Sequence, residues 1–376
     1  MNRSVKKFKA HGIDKKFLWI TGILLLVGVT TFLSASLSIY TENTELFYAM
    51  LIRHLGFGVV GGIAIMILFS KLHFSIWKKF STYIYIIGII LTFLVFSPLG
   101  FSHGGAQRWI SLGFISFQPA ELLKFAVIVF LSAWFAQYHD RIKEWKYGFW
   151  AFGIIVGLAV LPLMLQPDSG SFLLIGLVSF ILYWLRGASW KHVIVIMLAA
   201  TGALSVYAAF NPHVVDRLQT FTNPNSDPYG ASYQIRQSRI AIGSGMFFGR
   251  GLGQSVHKFG SYLPESNSDS IFAVYAEEFG YLGSFLLIVL YSVFTFFGLR
   301  IARRAPTTFS QNLAAGIILL ISVQVFFNIA AISGLVPLSG LPLIFMSSGG
   351  TALIVTLAQI GIVLNISKYT VIKKNR

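Results

Sequence analysis

The chain alternates between long, almost uninterrupted apolar segments and short polar ones. A bilayer-spanning helix needs about 20 mostly apolar residues, whereas the strands of a membrane β-barrel give short segments of alternating hydrophobicity. The long segments therefore predict an all-α polytopic membrane protein with about ten transmembrane helices. The predicted spans are residues 17–39, 46–70, 81–98, 118–137, 147–165, 170–186, 192–210, 271–299, 312–333 and 347–367.

The polar segments complete the predicted domain organisation. We expect the first apolar segment to be retained as a span, because it is too long for a cleavable signal peptide. An interfacial helix is expected over residues 233–242, where Arg236 and Arg239 are three residues apart and share a face. The predicted regions are a cytoplasmic basic N-terminus (1–16), transmembrane helices 1–7 (17–210), a long extracytoplasmic loop between the seventh and eighth helices (211–270), transmembrane helices 8–10 (271–367) and a cytoplasmic basic tail (368–376).

Composition and charge agree with this topology. The chain is 55% hydrophobic and 11% charged, against about 25% charged residues in soluble domains. With both termini cytoplasmic, 21 cations lie on the inner side and six on the outer side, as the positive-inside rule requires. The net charge of +16 then indicates loops that face anionic lipid, so no nucleic-acid partner is expected. The absence of cysteine excludes a disulfide scaffold and any thiolate metal site.

Ionisable residues at membrane depth are costly and usually functional. Asp269 stands at the outer mouth of the eighth predicted span. One interpretation is a helix N-cap, because Asp accepts hydrogen bonds from free backbone N–H groups there. The other is a general base, placed where a membrane-embedded substrate meets water.

Other charged residues lie within the predicted spans. Glu121 and Lys124, three residues apart, are either a self-neutralising pair or a charged wall of a substrate cavity. Arg53 in the second span either extends to the headgroups or binds phosphate. Glu277 and Glu278, deeper in the eighth span, form a proton relay or pair with Lys124 or Arg53 from a neighbouring helix.

Several cations are predicted on the outer side around these carboxylates. Such a group suits a substrate that is both anionic and lipid-like, for which a pyrophosphate on a lipid tail is an example. Attraction to anionic headgroups is the alternative, above all for Arg236 and Arg239. The cations of this group, four of the six on the outer side, are Arg108, Arg250, Arg236 and Arg239.

Four sequence motifs occur in order along the chain. They are GAQRWI (105–110) with FQPAELLK (117–124), QPDSGS (166–171), LPE (263–265) with DSIFA (269–273) and EEFG (277–280), and GLPL (340–343) with SSGGT (347–351). With these motifs the chain resembles the SEDS family, the FtsW/RodA/SpoVE-type proteins. Residues 252–265 are more similar to the FtsW cell-division type than to the rod-shape type. The chain departs from the family pattern at Asn267, Ser270, Ile344 and Ser348.

The resemblance implies a peptidoglycan glycosyltransferase of the bacterial cytoplasmic membrane. Such an enzyme polymerises lipid II onto a growing glycan-lipid chain during division or elongation. It works with a class B penicillin-binding protein and, as we expect here, with divisome proteins. By the same match, Asp269 is the catalytic acidic residue. The expected substrate-binding residues are Arg53, Arg108, Glu121, Lys124, Arg236, Arg239 and Glu265.

A divalent cation is expected at the same place. Mg²⁺ commonly sits between one or two carboxylates and substrate phosphates. Asp269 is therefore a candidate ligand for Mg²⁺ or Mn²⁺ shared with the pyrophosphate of the substrate.

Two other functions remain open on the sequence alone. A flippase or transporter of the same lipid would also have ten spans and buried Glu–Lys pairs, and a non-catalytic scaffold would recruit a penicillin-binding protein. The candidate base and the cations concentrate on the outer side, which favours the polymerase. A flippase should tolerate an Asp269→Asn substitution, and a scaffold should tolerate every cavity substitution.

Overall fold

The computed structural model describes residues 10–103, 106–111, 116–210, 212–223, 232–259 and 262–370. Within these residues the chain is mainly helical, and two helices contain a π-helical stretch, Ile52–Gly61 and Trp145–Trp150. We number the helices α1 Lys15–Glu42, α2 Thr44–Lys71, α3 Ser75–Lys79, α4 Ser81–Phe93, α5 Pro119–Gln137, α6 Trp145–Leu165, α7 Ser169–Leu185, α8 Trp190–Phe210, α9 Pro212–Thr222, α10 Tyr233–Ser244, α11 Ile271–Arg304, α12 Thr308–Ile332 and α13 Gly350–Ser367.

Each predicted span coincides with one of these helices, and the polytopic all-α fold is confirmed. Eight of the described helices are long and apolar enough to cross a membrane. The other two, α4 with its 3₁₀ extension to Phe96 and α7, are apolar but shorter. The number of crossings and their orientation remain predictions. The predicted basic ends fall partly outside the described residues, at 1–9 and 371–376.

A small antiparallel sheet, which we did not predict, lies between α4 and α5. It consists of β1 Gly100–His103, β2 Ala106–Ser111 and β3 Ser116–Phe117, hydrogen-bonded in that order. Pro119 follows as the first residue of α5, a position where its missing N–H costs nothing. The sheet therefore places Arg108 on a fixed strand just before the helix that carries Glu121 and Lys124.

The long predicted loop contains two helices. The expected helix at 233–242 is observed as α10, which extends to Ser244 and buries Ile235, Ser238 and Ala241. Its interfacial position remains a prediction. The other helix, α9, begins at Pro212 and was not predicted.

Helix α11 is broken at Gly280, whose φ of 65° is accessible mainly to glycine. The break removes helical partners from two carbonyls before it and two amides after it. The preceding loop replaces these partners, which is essential at membrane depth because free backbone groups are costly there. The replacement bonds are Arg250 N to Glu277 O (3.0 Å), Gly251 N to Glu278 O (2.9 Å), Tyr281 N to Met246 O (2.8 Å) and Leu282 N to Phe247 O (3.1 Å).

Helices α5, α12 and α13 form the centre of the bundle. In their most apolar stretches 72%, 72% and 78% of the residues are buried, against 11% in α8 at the periphery. Helix α12 packs against α5, α7 and α11, and α13 packs against α2. The loop that joins α12 to α13 therefore lies at one end of these central helices, where it contacts the segment just before α11.

Candidate active site

Asp269 lies two residues before α11, and its side chain contacts α10. Helix α11 has Ser270 as its N-cap residue, with no side-chain capping bond. The Asp269 carboxylate instead accepts a hydrogen bond from Gln234 Nε2 at 3.2 Å, and the same amide donates to Ser270 Oγ at 2.9 Å. The N-cap interpretation of Asp269 is therefore wrong, because Ser270 occupies the N-cap position and no side chain caps α11.

The backbone around Asp269 is fixed by the α12–α13 loop and by α12 itself. Asn328 Nδ2 donates to the carbonyl of Asp269 at 2.9 Å and to that of Leu341 at 2.7 Å. Ser347 Oγ (2.6 Å) and the amide of Ser348 (2.8 Å) bind the carbonyls of the two residues before Asp269. Three consecutive carbonyls are thus held, which restricts the position of the carboxylate.

The electrostatic environment makes Asp269 a better proton acceptor than an ordinary aspartate. Burial, and after it the negative charge of Glu265, raise the pKa of its carboxyl from 3.8 to about 6. The Gln234 hydrogen bond and the positive charge of Arg217 oppose the shift. A pKa near the working pH combines a large ionised fraction with useful basicity.

Glu265 occupies a strained turn close to Asp269. Its φ is 53°, in the left-handed region that residues other than glycine rarely adopt. Its carbonyl accepts hydrogen bonds from the amides of Ser268 (3.0 Å) and Ser270 (3.1 Å), which close the turn. The exposed Glu265 side chain is thereby kept near Asp269, as its effect on the pKa of Asp269 shows.

Arg108 on β2 binds the segment that connects α6 to α7. Its Nε donates to the carbonyl of Gln166 at 3.3 Å, and its Nη2 donates to that of Pro167. The neighbouring Asp168 caps α7 and accepts a hydrogen bond from Gln118 Nε2 at 3.4 Å. Arg108 is thus fixed by neutral carbonyls at the end of α7 that adjoins the site.

Arg217 on α9 is a site residue that the sequence analysis missed. Its Nη1 donates to Ser169 Oγ at 2.8 Å and to the carbonyl of Ser339 at 3.3 Å. The negative charges of Asp168 and Asp269 both raise the pKa of Arg217. The sequence shows Arg217 only as one more outer cation in a long polar segment, and its contacts with α7 and the α12–α13 loop depend on the tertiary fold.

Glu121 and Lys124 form the predicted self-neutralising pair. Lys124 Nζ lies 2.7 Å from Glu121 Oε1 and 3.0 Å from Gln324 Oε1 on α12. The pair is buried and does not line an open cavity, because the side chain of Lys124 is only 1% exposed and that of Glu121 only 6% exposed. Gln324 Nε2 donates to the carbonyl of Pro342 at 3.0 Å, so the pair and Asp269 are bound to the same loop.

Three of the predicted substrate-binding residues are arginines on α2 and α10. Arg53 is exposed on the π-helical stretch of α2. Arg239 is exposed and donates to the carbonyl of Gly334 at 3.0 Å, and Arg236 has a buried Nε without a partner in the described part of the chain. No hydrogen bond or ion pair joins these arginines to Asp269 within that part.

The predicted pairing of Glu277 and Glu278 with Lys124 or Arg53 is wrong. Glu278 Oε1 lies 2.8 Å from Lys258 Nζ. Glu277 Oε1 lies 3.0 Å from Nδ1 of the nearby His257 and 3.3 Å from an arginine of the same loop. The break in α11 explains the difference, because the loop that repairs it brings its own cations against the glutamates.

The residues fit a metal ion only if the substrate supplies further ligands. Within the described residues no group of three or more His, Asp or Glu side chains could hold a metal. Asp269, with Glu265 nearby, offers one or two carboxylates at this end of the bundle. This is the donor set that Mg²⁺ and Mn²⁺ use when phosphate oxygens complete their coordination.

Comparison of the sequence with curated proteins gives matches over nearly its whole length. Stage V sporulation protein E of Bacillus subtilis is 35% identical over 361 residues, covering 95% of this chain and 97% of the relative. Probable peptidoglycan glycosyltransferase FtsW of Coxiella burnetii is 36% identical over 352 residues, covering 92% and 94%. Peptidoglycan glycosyltransferase MrdB of Escherichia coli is 35% identical over 360 residues, covering 94% of each.

The fold is also similar to that of solved structures. A chain of a peptidoglycan synthase complex that coordinates polymerization and crosslinking matches with a TM-score of 0.76 at 24% identity, covering 94% of this chain and 97% of that one. Rod shape determining protein RodA of Thermus thermophilus matches with a TM-score of 0.67 at 24% identity, covering 94% and 96%. The sequence profile of the family described as "Cell cycle protein" matches residues 15–372. The chain therefore belongs to the FtsW/RodA/SpoVE family of cell cycle proteins.

Proposed function

We propose that this chain is a peptidoglycan glycosyltransferase that polymerises lipid II at the outer face of the bacterial cytoplasmic membrane, during division or elongation. The family and the relatives named as peptidoglycan glycosyltransferases support the activity. The observation that carries the proposal is the site itself. Asp269 combines a fixed backbone, a pKa of about 6 and the nearby charge of Arg217, on which Arg108 also acts.

The proposed reaction is a single inverting displacement. The Asp269 carboxylate removes the proton from the 4-hydroxyl of the acceptor sugar as that oxygen attacks the anomeric carbon of the donor. The bond from the anomeric carbon to the pyrophosphate oxygen breaks, and the lipid pyrophosphate leaves with the electron pair. An α-linked donor thus gives a β-linked glycan. A base placed in this way typically contributes about 10²–10⁴-fold to the rate.

The surrounding residues orient the base. Gln234 holds one carboxylate oxygen, so the other is available to the acceptor hydroxyl. Asn328 prevents the backbone of Asp269 from moving relative to the α12–α13 loop. Positioning of this kind matters because misplacement of a catalytic group by about 1 Å can cost on the order of 100-fold in rate.

A divalent cation fits the same arrangement. We infer that Asp269, with Glu265 near it, would hold Mg²⁺ or Mn²⁺ together with the substrate pyrophosphate. When bound, the ion would neutralise charge on the leaving group. With the ion bound, Asp269 would still act as the base, and the protein side chains around it would still hold the donor.

The proposed setting is a complex in the cytoplasmic membrane with both termini inside the cell. The basic inner segments support this orientation. The partner is a class B penicillin-binding protein, which crosslinks the strands that this chain makes, and other divisome proteins join them. The support is the similarity of fold to a chain of a peptidoglycan synthase complex.

Polymerisation of purified lipid II tests the proposal. The full chain in detergent, with Mg²⁺ or Mn²⁺ and with a class B penicillin-binding protein, is expected to give glycan strands on a gel. A flippase would instead move labelled lipid II across proteoliposome membranes without strands, and a scaffold would do neither. Absence of strands from protein that still binds lipid II and the partner would contradict the polymerase.

The rate should depend on pH through Asp269. Because only the ionised carboxylate accepts a proton, activity is expected to fall as pH drops through about 6 and to be constant above about 7. A cation bound to the carboxylate favours its ionised form, so the midpoint should move to lower pH as the Mg²⁺ concentration rises. Initial rates between about pH 5 and about pH 8 test this, and a flat profile would argue against Asp269 as the base.

A further inference from the structure

Two arginines from distant parts of the chain converge on one short segment. Arg108 from β2 binds the carbonyls of Gln166 and Pro167, and Arg217 from α9 binds the hydroxyl of Ser169. These contacts lie within four consecutive residues, which span at most about 14 Å when fully extended. The two guanidinium groups are therefore neighbours at the N-terminal end of α7.

The positive charge of this pair is not neutralised by ion pairing. No carboxylate lies within ion-pair distance of Arg108 or Arg217 in the part of the chain that the structure describes. Burial lowers the pKa of Arg217, and the charge of Arg108 lowers it further. Asp168 and Asp269 act in the opposite direction without forming an ion pair with it. Two guanidinium groups that are held in place without a carboxylate at ion-pair distance are typical of an anion-binding site.

The pair is close to Asp269 through the α12–α13 loop. Arg217 binds the carbonyl of Ser339, and Asn328 binds the carbonyls of both Leu341 and Asp269. Only Gly340 lies between Ser339 and Leu341, so they are at most about 7 Å apart along the chain. Arg217 and Asp269 are also close enough for the charge of each to shift the pKa of the other.

We infer that Arg108 and Arg217 bind the diphosphate of the sugar donor, so that its anomeric carbon lies between them and Asp269. This inference rests on the proposed function. Guanidinium forks bind phosphate oxygens in pairs, and their charge stabilises the leaving diphosphate as its negative charge grows. Anchoring on backbone carbonyls fixes these arginines in advance. The exposed Arg239, by comparison, lies over Gly334 and is suited to headgroups.

Binding without turnover tests the diphosphate site directly. The full-length protein in detergent is titrated with a polyprenyl diphosphate and with the matching monophosphate, as wild type, Arg217→Gln and Arg217→Lys. We expect Arg217→Gln to weaken diphosphate binding by about 10- to 100-fold, the range for a lost charge-assisted contact. Arg217→Lys should recover part of this loss, since it keeps the charge but not the fork.

Kinetics with lipid II add a second readout. Arg217→Gln should raise the apparent KM, and Arg141→Gln, whose arginine pairs with Glu144 at the far side of the bundle, should match the wild type in binding and in KM. Unfolding midpoints show whether each variant is folded. If Arg217→Gln does not fold, the diphosphate affinity of Arg217→Lys is the deciding measurement. An affinity equal to that of the wild type would overturn the site.

The outcomes separate this inference from the proposed function. Wild-type diphosphate affinity and KM in folded Arg217→Gln would overturn the diphosphate site and leave the polymerase standing. Diphosphate binding that requires Arg217, in a wild type that makes no strands, would support the site and contradict the polymerase. Equal losses for monophosphate and diphosphate would mean that one phosphate suffices, and would overturn the assignment to a diphosphate.

Discussion

Asp269→Asn is expected to reduce lipid II polymerisation by about 10²–10⁴-fold while the protein remains folded. Asparagine has nearly the same shape as aspartate and can still accept the hydrogen bond from Gln234. The backbone contacts of residue 269 involve its carbonyl and do not change. The loss would therefore report the missing base, or the missing ligand of a divalent cation, and not a displaced loop.

The same substitution should leave thermal stability equal or higher. The folded carboxyl has a pKa of about 6, above its ordinary 3.8, so the folded protein binds this proton more tightly than the unfolded chain. Its contribution to stability is complete below pH 3.8 and is lost as pH rises through about 6. At neutral pH the ionised Asp269 is thus a cost to folding, which the neutral asparagine removes.

Asp140→Asn is the matched control, because Asp140 is exposed beyond the far end of α5. It should polymerise lipid II like the wild type. Wild-type rates in Asp269→Asn would remove the base from the mechanism and would favour the flippase. A lower unfolding midpoint in Asp269→Asn would show that the carboxylate stabilises the fold, contrary to its raised pKa.

The helices could be predicted from sequence because hydrophobic length alone determines them in a membrane protein. The sheet before α5 could not, since its strands are two to six residues long and carry no clear alternation. The break at Gly280 was also missed. The break lies inside an apolar helix. It is possible only because the loop before α11 supplies the missing hydrogen bonds, and the sequence pattern does not show that contact.

The candidate site likewise contains residues that could be found from the sequence and one that could not. Asp269, Glu121 and Lys124 could be found because a charge at membrane depth is conspicuous in an apolar sequence. The pairing of Glu121 with Lys124 is local, at a spacing of three residues, and was among the alternatives. Arg217 could not be selected, because its neighbours Ser169 and Ser339 are 48 and 122 residues away.

The largest effect on stability is expected where Lys258 and Glu278 join three elements. Their charged atoms are 2.8 Å apart, and both side chains are fully buried. Ser34 on α1 donates to the same carboxylate oxygen at 2.5 Å, and Lys258 also donates to the carbonyl of Gly253 at 2.9 Å. The pair thereby attaches the loop that repairs α11 both to α11 and to α1.

Lys258→Met is expected to destabilise the protein by about 3–5 kcal/mol, because it leaves the Glu278 charge buried without a counter-ion. The double variant Lys258→Met/Glu278→Leu should regain most of this loss, since it removes both charges and fills the space with apolar groups. Unfolding midpoints in detergent measure both effects. The exposed pair Arg141–Glu144 is the control, and Arg141→Met should change the midpoint little because water already screens those charges. If the double variant were as unstable as Lys258→Met, the geometry of the ion pair itself, and not the isolated charge, would hold the loop against α11.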